Sequence, residues 1–286
     1  MKILVTGSKG QLGSSLRRVF DNDPAIDATY ADHDTLDITD RDAVYRFLGD
    51  NKFDIVVNCA AYTAVDKAES DEILASALNT GAVGNLAEAA VKNGTRVIHI
   101  STDYVFSGQG CRPYEENDEP YPQSIYGRTK LEGEALLTSF CQNALIIRTA
   151  WLYSEFGGNF VKTMLRLAET RPEINVVADQ IGTPTYAGDL AEAIHRIVSS
   201  GEWKPGIYHF TDEGVASWYD FTKAIFEIAG RDVKVNPIKT SEYPTQAKRP
   251  LYSVLSKKKI KKAFGLEIPY WRDSLKTCIS QLKQEN

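Results

Sequence analysis

The chain has 286 residues, 43% of them hydrophobic and 25% charged, with a formal net charge of −5. That length can bury a sizeable core, and the composition is ordinary for a globular protein. The acidic balance argues against a broad nucleic-acid footprint, and no run reaches the roughly 18 to 20 apolar residues that cross a bilayer, so small-molecule chemistry is the starting point.

The N-terminal MKILVTGSKG passes from one lysine through a short apolar run into glycines, unlike a signal peptide, and a cytoplasmic location is expected. KILVT reads as a first strand. TGSKGQLG follows it, with Gly7, Gly10 and Gly13 spaced as GxxGxxG before the helical pattern SSLRRVF. Such a turn lets backbone N–H groups and a positive helix end approach a pyrophosphate. A second strand over IDATYAD should end near Asp32, where a carboxylate would accept hydrogen bonds from an adenosine ribose and repel a 2′-phosphate. Lys9, Arg17 and Arg18 point the other way, so NADPH and NADH both stay open. Asp37, in LDIT, suits either an adenine contact together with Ile38 or a cap for the helix RDAVYRFLGD.

DIVVNCA, RVIHIST and ALIIRTA read as further strands, each the near-continuous apolar run of a parallel sheet covered on both faces. The stretch from Ser70 to Lys92 and YGRTKLEGEALLTSF read as helices between them. This alternation predicts an α/β fold with a doubly wound parallel sheet. Residues 1–150 are expected to form the dinucleotide-binding domain. After Ala150, glycines and prolines punctuate shorter elements. Residues 151–286 are expected to form mainly a smaller, interleaved substrate-binding domain, with some segments returning to the first. There INVVADQ and GIYHFT look like strands, and YAGDLAEAIHRIVSS, SWYDFTKAIFEIA and YWRDSLKTCISQLK look helical. KKKIKK, residues 257–262, reads as a solvated helix face. The four scattered cysteines lack metal spacing, so no metal is expected.

Tyr126 and Lys130 lie four apart and would share one helix face. A tyrosine near pKa 10 is a poor acid at neutrality, and a neighbouring ammonium would lower that value. Alone, the pair suits an aromatic packed on a sheet beside a solvated lysine. Its company is what changes the reading: STDYVF places Thr102 at the carboxyl edge of a parallel sheet, where open α/β folds bind ligands. Arg249 is a candidate for a diphosphate, because a guanidinium fork matches phosphate oxygens.

TGSKGQLG, NCAAYT, STDYVF and YGRTK together resemble the extended short-chain dehydrogenase/reductase superfamily, which has a Rossmann-type sheet. STDYVFSG, RTAWLY, NFVKTM, DQIGTPT and KRPLYS resemble, within it, the dTDP-4-dehydrorhamnose reductases. The resemblance implies reduction of a dTDP-linked 4-ketosugar by NADPH or NADH, with Tyr126 as proton donor and Thr102 and Lys130 as its catalytic partners. It places Gly10, Gln11 and Leu12 at the cofactor phosphates, and Ala60, Ala61, Tyr62 and Thr63 along the rest of the cofactor. It places Thr102, Asp103, Tyr126 and Trp151 against the sugar nucleotide, and Asn79 as a support. Some relatives form magnesium-bridged dimers through glutamates; Ser15 and Gly188 stand there instead, so a monomer or weak homodimer without structural metal is expected. A reductase of another nucleotide-linked 4-ketosugar and a non-catalytic subunit resembling that of methionine adenosyltransferase are the alternatives.

Overall fold

The structure, a computed structural model, describes residues 1–284. In chain order the first part comprises β1 (Lys2–Thr6), α1 (Gln11–Phe20), β2 (Asp27–Ala31), α2 (Arg41–Asn51), β3 (Ile55–Asn58), α3 (Val65–Ala68) and α4 (Glu72–Ser76). A π-helical turn, Ala77–Gly81, leads into α5 (Ala82–Asn93), followed by β4 (Arg96–Thr102), α6 (Ile125–Phe140) and β5 (Leu145–Thr149). Then come β6 (Leu152–Tyr153), α7 (Phe160–Leu167), β7 (Glu173–Val177), β8 (Ile181–Gly182), β9 (Thr185–Tyr186), α8 (Ala187–Ser199) and β10 (Gly206–His209). The chain closes with β11 (Ala216–Ser217), α9 (Trp218–Ala229), β12 (Lys234–Ile238), α10 (Lys258–Phe264) and α11 (Trp271–Gln284).

Six parallel strands form the main sheet in the order β10-β5-β4-β3-β1-β2. Side chains alternate across a strand, so β1 feeds two layers at once. Ile3 and Val5 pack with Leu12 and Leu16 of α1 and Leu190 and Ile194 of α8. Leu4 packs on the opposite face with Val44 of α2 and Val83 and Leu86 of α5. This is a Rossmann-type, doubly wound α/β fold. The order reverses between β1 and β3, and the carboxyl ends of the strands there face the crevice in which such sheets take ligands.

GIYHFT supplies β10, which pairs with β5 and so extends the sheet from a late segment. INVVADQ supplies β7, which instead pairs in parallel with β12 in a separate two-stranded ribbon. β12 escapes a sequence reading because Pro237 demotes the run KVNPI, and it survives here in a two-stranded edge position. A second core lies beneath it, joining Val161 and Met164 of α7, Phe221 and Ile225 of α9, and Trp271 and Leu275 of α11. KKKIKK is largely the exposed helix expected, but Ile260 is buried and Lys257 is buried against Glu213 at 3.5 Å.

Candidate active site

Sterics dictate the glycine turn after β1. Gly7 has φ of +64°, and a Cβ there would lie 2.6 Å from the Ala60 backbone nitrogen. A Cβ on Gly13 would lie 2.4 Å from the Gly7 carbonyl oxygen, so only glycine lets α1 start this close to β1. Gly10 is the N-cap of α1, and neither a capping side chain nor a first-turn acid competes for the helix end. A backbone cradle with a positive helix end and no Cβ to fill it suits a pyrophosphate. Gly13→Ala is expected to weaken dinucleotide binding at least ~10-fold and to destabilise the fold by about 1–3 kcal/mol, the usual cost of overpacking. Titration calorimetry and thermal unfolding measure both.

A cleft of about 770 Å³ opens from this turn along the carboxyl ends of the strands. Of the cofactor, catalytic and substrate candidates, all line it except Tyr62 and the two arginines, Arg17 and Arg18. Tyr62 is held behind the wall: its N–H donates to Asn79 Oδ1 at 2.9 Å, and its carbonyl accepts from Asn79 Nδ2 at 3.2 Å. Asn79 sits in the π-helical turn and also donates to Thr129 Oγ1 at 3.1 Å, tying the CAAYT segment to α6. Such a turn widens the helix locally, which is a common device near functional sites.

The charges that point to opposite cofactors largely pair with each other or lie elsewhere. Lys9 Nζ is 2.5 Å from Asp32 and 3.3 Å from Asp34 at the rim. Arg17 stacks over the Tyr30 ring at 3.9 Å, and Arg18 is bound to the buried Glu155 and to the Tyr186 hydroxyl; neither lines the cleft. As 2′-phosphate ligands they are therefore set aside. Asp37 Oδ1 accepts from Thr39 N and Oγ1 at 2.9 and 2.7 Å, while Asp40 caps α2 through Ala43 N at 3.0 Å. Asp37 is thus a turn residue facing the cleft rather than the helix cap.

Ser124 caps α6, accepting from Gly127 N at 3.1 Å, and starts the helix where Tyr126 and Lys130 reach the cleft. Burial pushes the Tyr126 phenol well above its ordinary value, while the Thr102 hydroxyl beside it pulls the other way. The expected lowering by Lys130 is not found. Lys130 is itself buried, its ammonium pushed down to about 8 by burial, and Nζ donates to the Ile100 carbonyl at 2.7 Å. The phenol is accordingly protonated at neutrality, which is the form a proton donor needs. Thr102 donates to Asp103 Oδ1 at 3.0 Å and accepts from Tyr104 N at 3.2 Å, and burial raises the Asp103 carboxyl to about 6.

On the opposite wall Trp151 follows β5 with φ of +49°, a strained value for a bulky residue, and its ring stacks on Trp218 at 3.6 Å. A Cβ on Gly182 would lie 2.7 Å from the Trp151 ring, so the glycine of DQIGTPT makes room for this indole rather than for a ligand. Arg249 reaches the cleft with Nη2 2.6 Å from Asp66 and Nη1 3.3 Å from the Tyr104 hydroxyl. Sequence reasoning missed Trp218 and the loop Gly157–Phe160, which line the same cleft. Gln11 anchors that loop, its Oε1 accepting from Ser154 Oγ at 3.1 Å and Asn159 Nδ2 at 2.9 Å.

The family model described as the RmlD substrate binding domain matches residues 1–284. The chain is 43% identical over 285 residues to a dTDP-4-dehydrorhamnose reductase of Aggregatibacter actinomycetemcomitans, covering 96% of this chain and 97% of the relative. It is 44% identical over 294 residues to one of Sinorhizobium fredii, covering 100% and 99%. Among solved structures, a dTDP-4-dehydrorhamnose reductase from Clostridium acetobutylicum is similar with a TM-score of 0.95 at 44% identity, covering 99% of this chain and 100% of that one. One from Bacillus anthracis, in complex with NADP, is similar with a TM-score of 0.94 at 38% identity, covering 98% and 99%.

Proposed function

The chain belongs to the RmlD substrate binding domain family of NAD(P)H-dependent oxidoreductases, the dTDP-4-dehydrorhamnose reductases, and from that premise we propose that it reduces the 4-keto group of dTDP-4-dehydro-β-L-rhamnose to give dTDP-β-L-rhamnose. The observation that carries this reading is the placement of a half-buried, protonated Tyr126, with Thr102 beside it, in the same cleft as the glycine cradle. The reduced nicotinamide, when bound, supplies a hydride to C4. Tyr126 gives its phenolic proton to the C4 oxygen, so the ketone gains one hydride and one proton. Thr102 orients the phenol and the carbonyl, and Lys130 holds the ribose hydroxyls. Gly7, Gly10, Gln11, Leu12 and Gly13 hold the pyrophosphate, while Asp37, Ile38, Ala60, Ala61 and Thr63 take the adenosine and ribose side.

Residues 1–150 carry the dinucleotide and residues 151–286 mainly the sugar nucleotide, with β10 and α8 returning to the first part. Trp151 floors the sugar, and Asp103 and Arg249 receive its polar groups. Ser15 and Gly188, both buried, support a monomer or weak homodimer without a bridging metal. The experiment that tests the reading supplies purified protein with dTDP-4-dehydro-β-L-rhamnose and NADPH or NADH. Turnover exceeding that with UDP- and GDP-linked 4-ketosugars is expected, and dinucleotide binding without turnover of any of them would refute it.

Cofactor choice rests on the Lys9–Asp32 pair. Asp32→Ala removes the ribose acceptor and frees Lys9 for a 2′-phosphate, so the NADPH/NADH ratio of kcat/KM should rise about 10-fold or more. Lys9→Ala should move it the other way, as read by steady-state kinetics with both cofactors.

A further inference from the structure

Beneath the cleft a chain of buried polar groups runs from β1 to Lys130. Thr6 Oγ1 donates to Asn58 Oδ1 at 2.7 Å, and the Ala60 N–H donates to the same oxygen at 3.2 Å. Asn58 Nδ2 lies 3.0 Å from His99 Nδ1, and His99 Nε2 lies 3.4 Å from Lys130 Nζ. Thr6, Asn58, His99 and Lys130 are each at most 2% exposed, so their proton positions are set by one another.

Those positions can be deduced from donor and acceptor inventory. The Ala60 backbone N–H can only donate, so the oxygen of the Asn58 amide must face it; the flipped amide would set two donors against each other. The Asn58 nitrogen therefore faces His99 Nδ1 and donates to it. Burial and the nearby Lys130 hold His99 far below its ordinary pKa, so the ring is neutral. A neutral imidazole that accepts at Nδ1 carries its proton on Nε2, and that N–H points at Lys130. An ammonium has three protons and no lone pair, whereas a neutral amine can accept.

We propose that His99, fixed in its Nε2–H tautomer by Asn58 and the Ala60 amide, is a positioning residue that destabilises the Lys130 ammonium, so that this lysine exchanges its proton within the working pH range rather than serving as a permanent cation. The inference rests on the assignment of Lys130 to the catalytic group. Other titratable groups around the lysine do not take over this role. Cys59, after β3, is pushed up to about 12 by burial and stays a neutral thiol. Glu134, one turn along α6, favours the ammonium through space, but its carboxylate is taken by Arg148 of β5 at 2.6 Å and by Ser101 at 2.5 Å. Tyr126, on the same helix, is a neutral phenol.

The molecule supplies its own control. His209 is also fully buried, but its Nδ1 lies 3.2 Å from the Tyr114 carbonyl, which can only accept. His209 must be the Nδ1–H tautomer, opposite to His99. Two-bond nitrogen–proton NMR on the full chain with 15N-histidine distinguishes the two forms. His99 is expected as Nε2–H and His209 as Nδ1–H from about pH 6 to 9, and His99 as Nδ1–H or as an imidazolium overturns the proposal.

Asn58→Asp tests the consequence, since a carboxylate accepts from Nδ1–H and turns the Nε2 lone pair toward Lys130. The alkaline limb of kcat/KM should move up by about one pH unit, a tenfold change in proton concentration. A flipped tautomer with an unmoved limb would overturn the link. If that variant does not fold, Lys130 Nζ is titrated by 15N NMR in the wild type. An amine forming well below the ordinary lysine value of about 10.4 supports the proposal, and an ammonium persisting to that value contradicts it. Neither spectrum requires turnover, so a protein inactive on every ketosugar could still uphold the tautomer, and an active one could still refute it.

Discussion

Replacing Tyr126 with phenylalanine is expected to lower kcat for ketosugar reduction by about 10²- to 10⁴-fold, the usual contribution of a positioned general acid, while leaving dinucleotide affinity within about twofold. The substitution removes one oxygen and keeps the ring, which packs edge-on against Tyr104 at 5.4 Å and 76°. Burial keeps the phenol protonated, so the substitution removes the proton that the proposed step delivers to the ketone. Thr102 cannot replace it, because a hydroxyl with an unassisted pKa far above that of a phenol is a weaker acid and its own proton goes to Asp103 at 3.0 Å. Equal falls in kcat and kcat/KM would mark an interaction made only in the transition state. Steady-state kinetics alongside a dinucleotide titration separates this from a loss of binding.

The second large effect concerns stability. Glu134 and Arg148 are 3% and 2% exposed, joined by Nη2–Oε2 at 2.6 Å and Nε–Oε1 at 2.9 Å, and the guanidinium lies 5.1 Å over the Phe106 ring. The pair fastens α6, which carries Tyr126 and Lys130, to β5, and Ser101 ties the same carboxylate to β4. Glu134→Ala would leave an uncompensated buried cation, at a cost of about 3–5 kcal/mol and a Tm fall of roughly 10 °C for a chain of this size. Arg148→Met combined with Glu134→Leu should recover most of that loss, since the desolvation penalty disappears with both charges. Thermal unfolding of the single and double variants measures the difference.

The centre of the main sheet was legible in the sequence because β1, β3, β4 and β5 are short apolar runs, largely buried, and because each ends in a motif that lies at a carboxyl edge. TGSKGQLG and STDYVF are local patterns, and local patterns carry over into the fold. What was not legible depends on distance between segments. Asn58 and His99 read as ordinary strand residues, yet they meet at 3.0 Å because β3 and β4 are neighbours in register. Lys9 and Asp32 read as opposing indications of cofactor, yet they are a single pair at 2.5 Å. Arg18 looked available for a phosphate but is consumed by Glu155, 137 residues later. Trp218 belongs to a helix whose amphipathic pattern concealed that its first residue stacks on Trp151. β12 was hidden by its proline, and β6, β8, β9 and β11 are two residues each, too short for any periodicity.

The central claim is that one cleft brings a hydride and the Tyr126 proton to the same carbonyl. The most direct test supplies the protein with dTDP-4-dehydro-β-L-rhamnose and nicotinamide cofactor deuterated at the transferring C4 position, and reads the product by NMR. The account predicts one cofactor oxidised per sugar, with deuterium on C4 of dTDP-β-L-rhamnose and a solvent-derived proton on its C4 oxygen. Cofactor left reduced in a protein that binds it, or deuterium on any other carbon, would contradict the account.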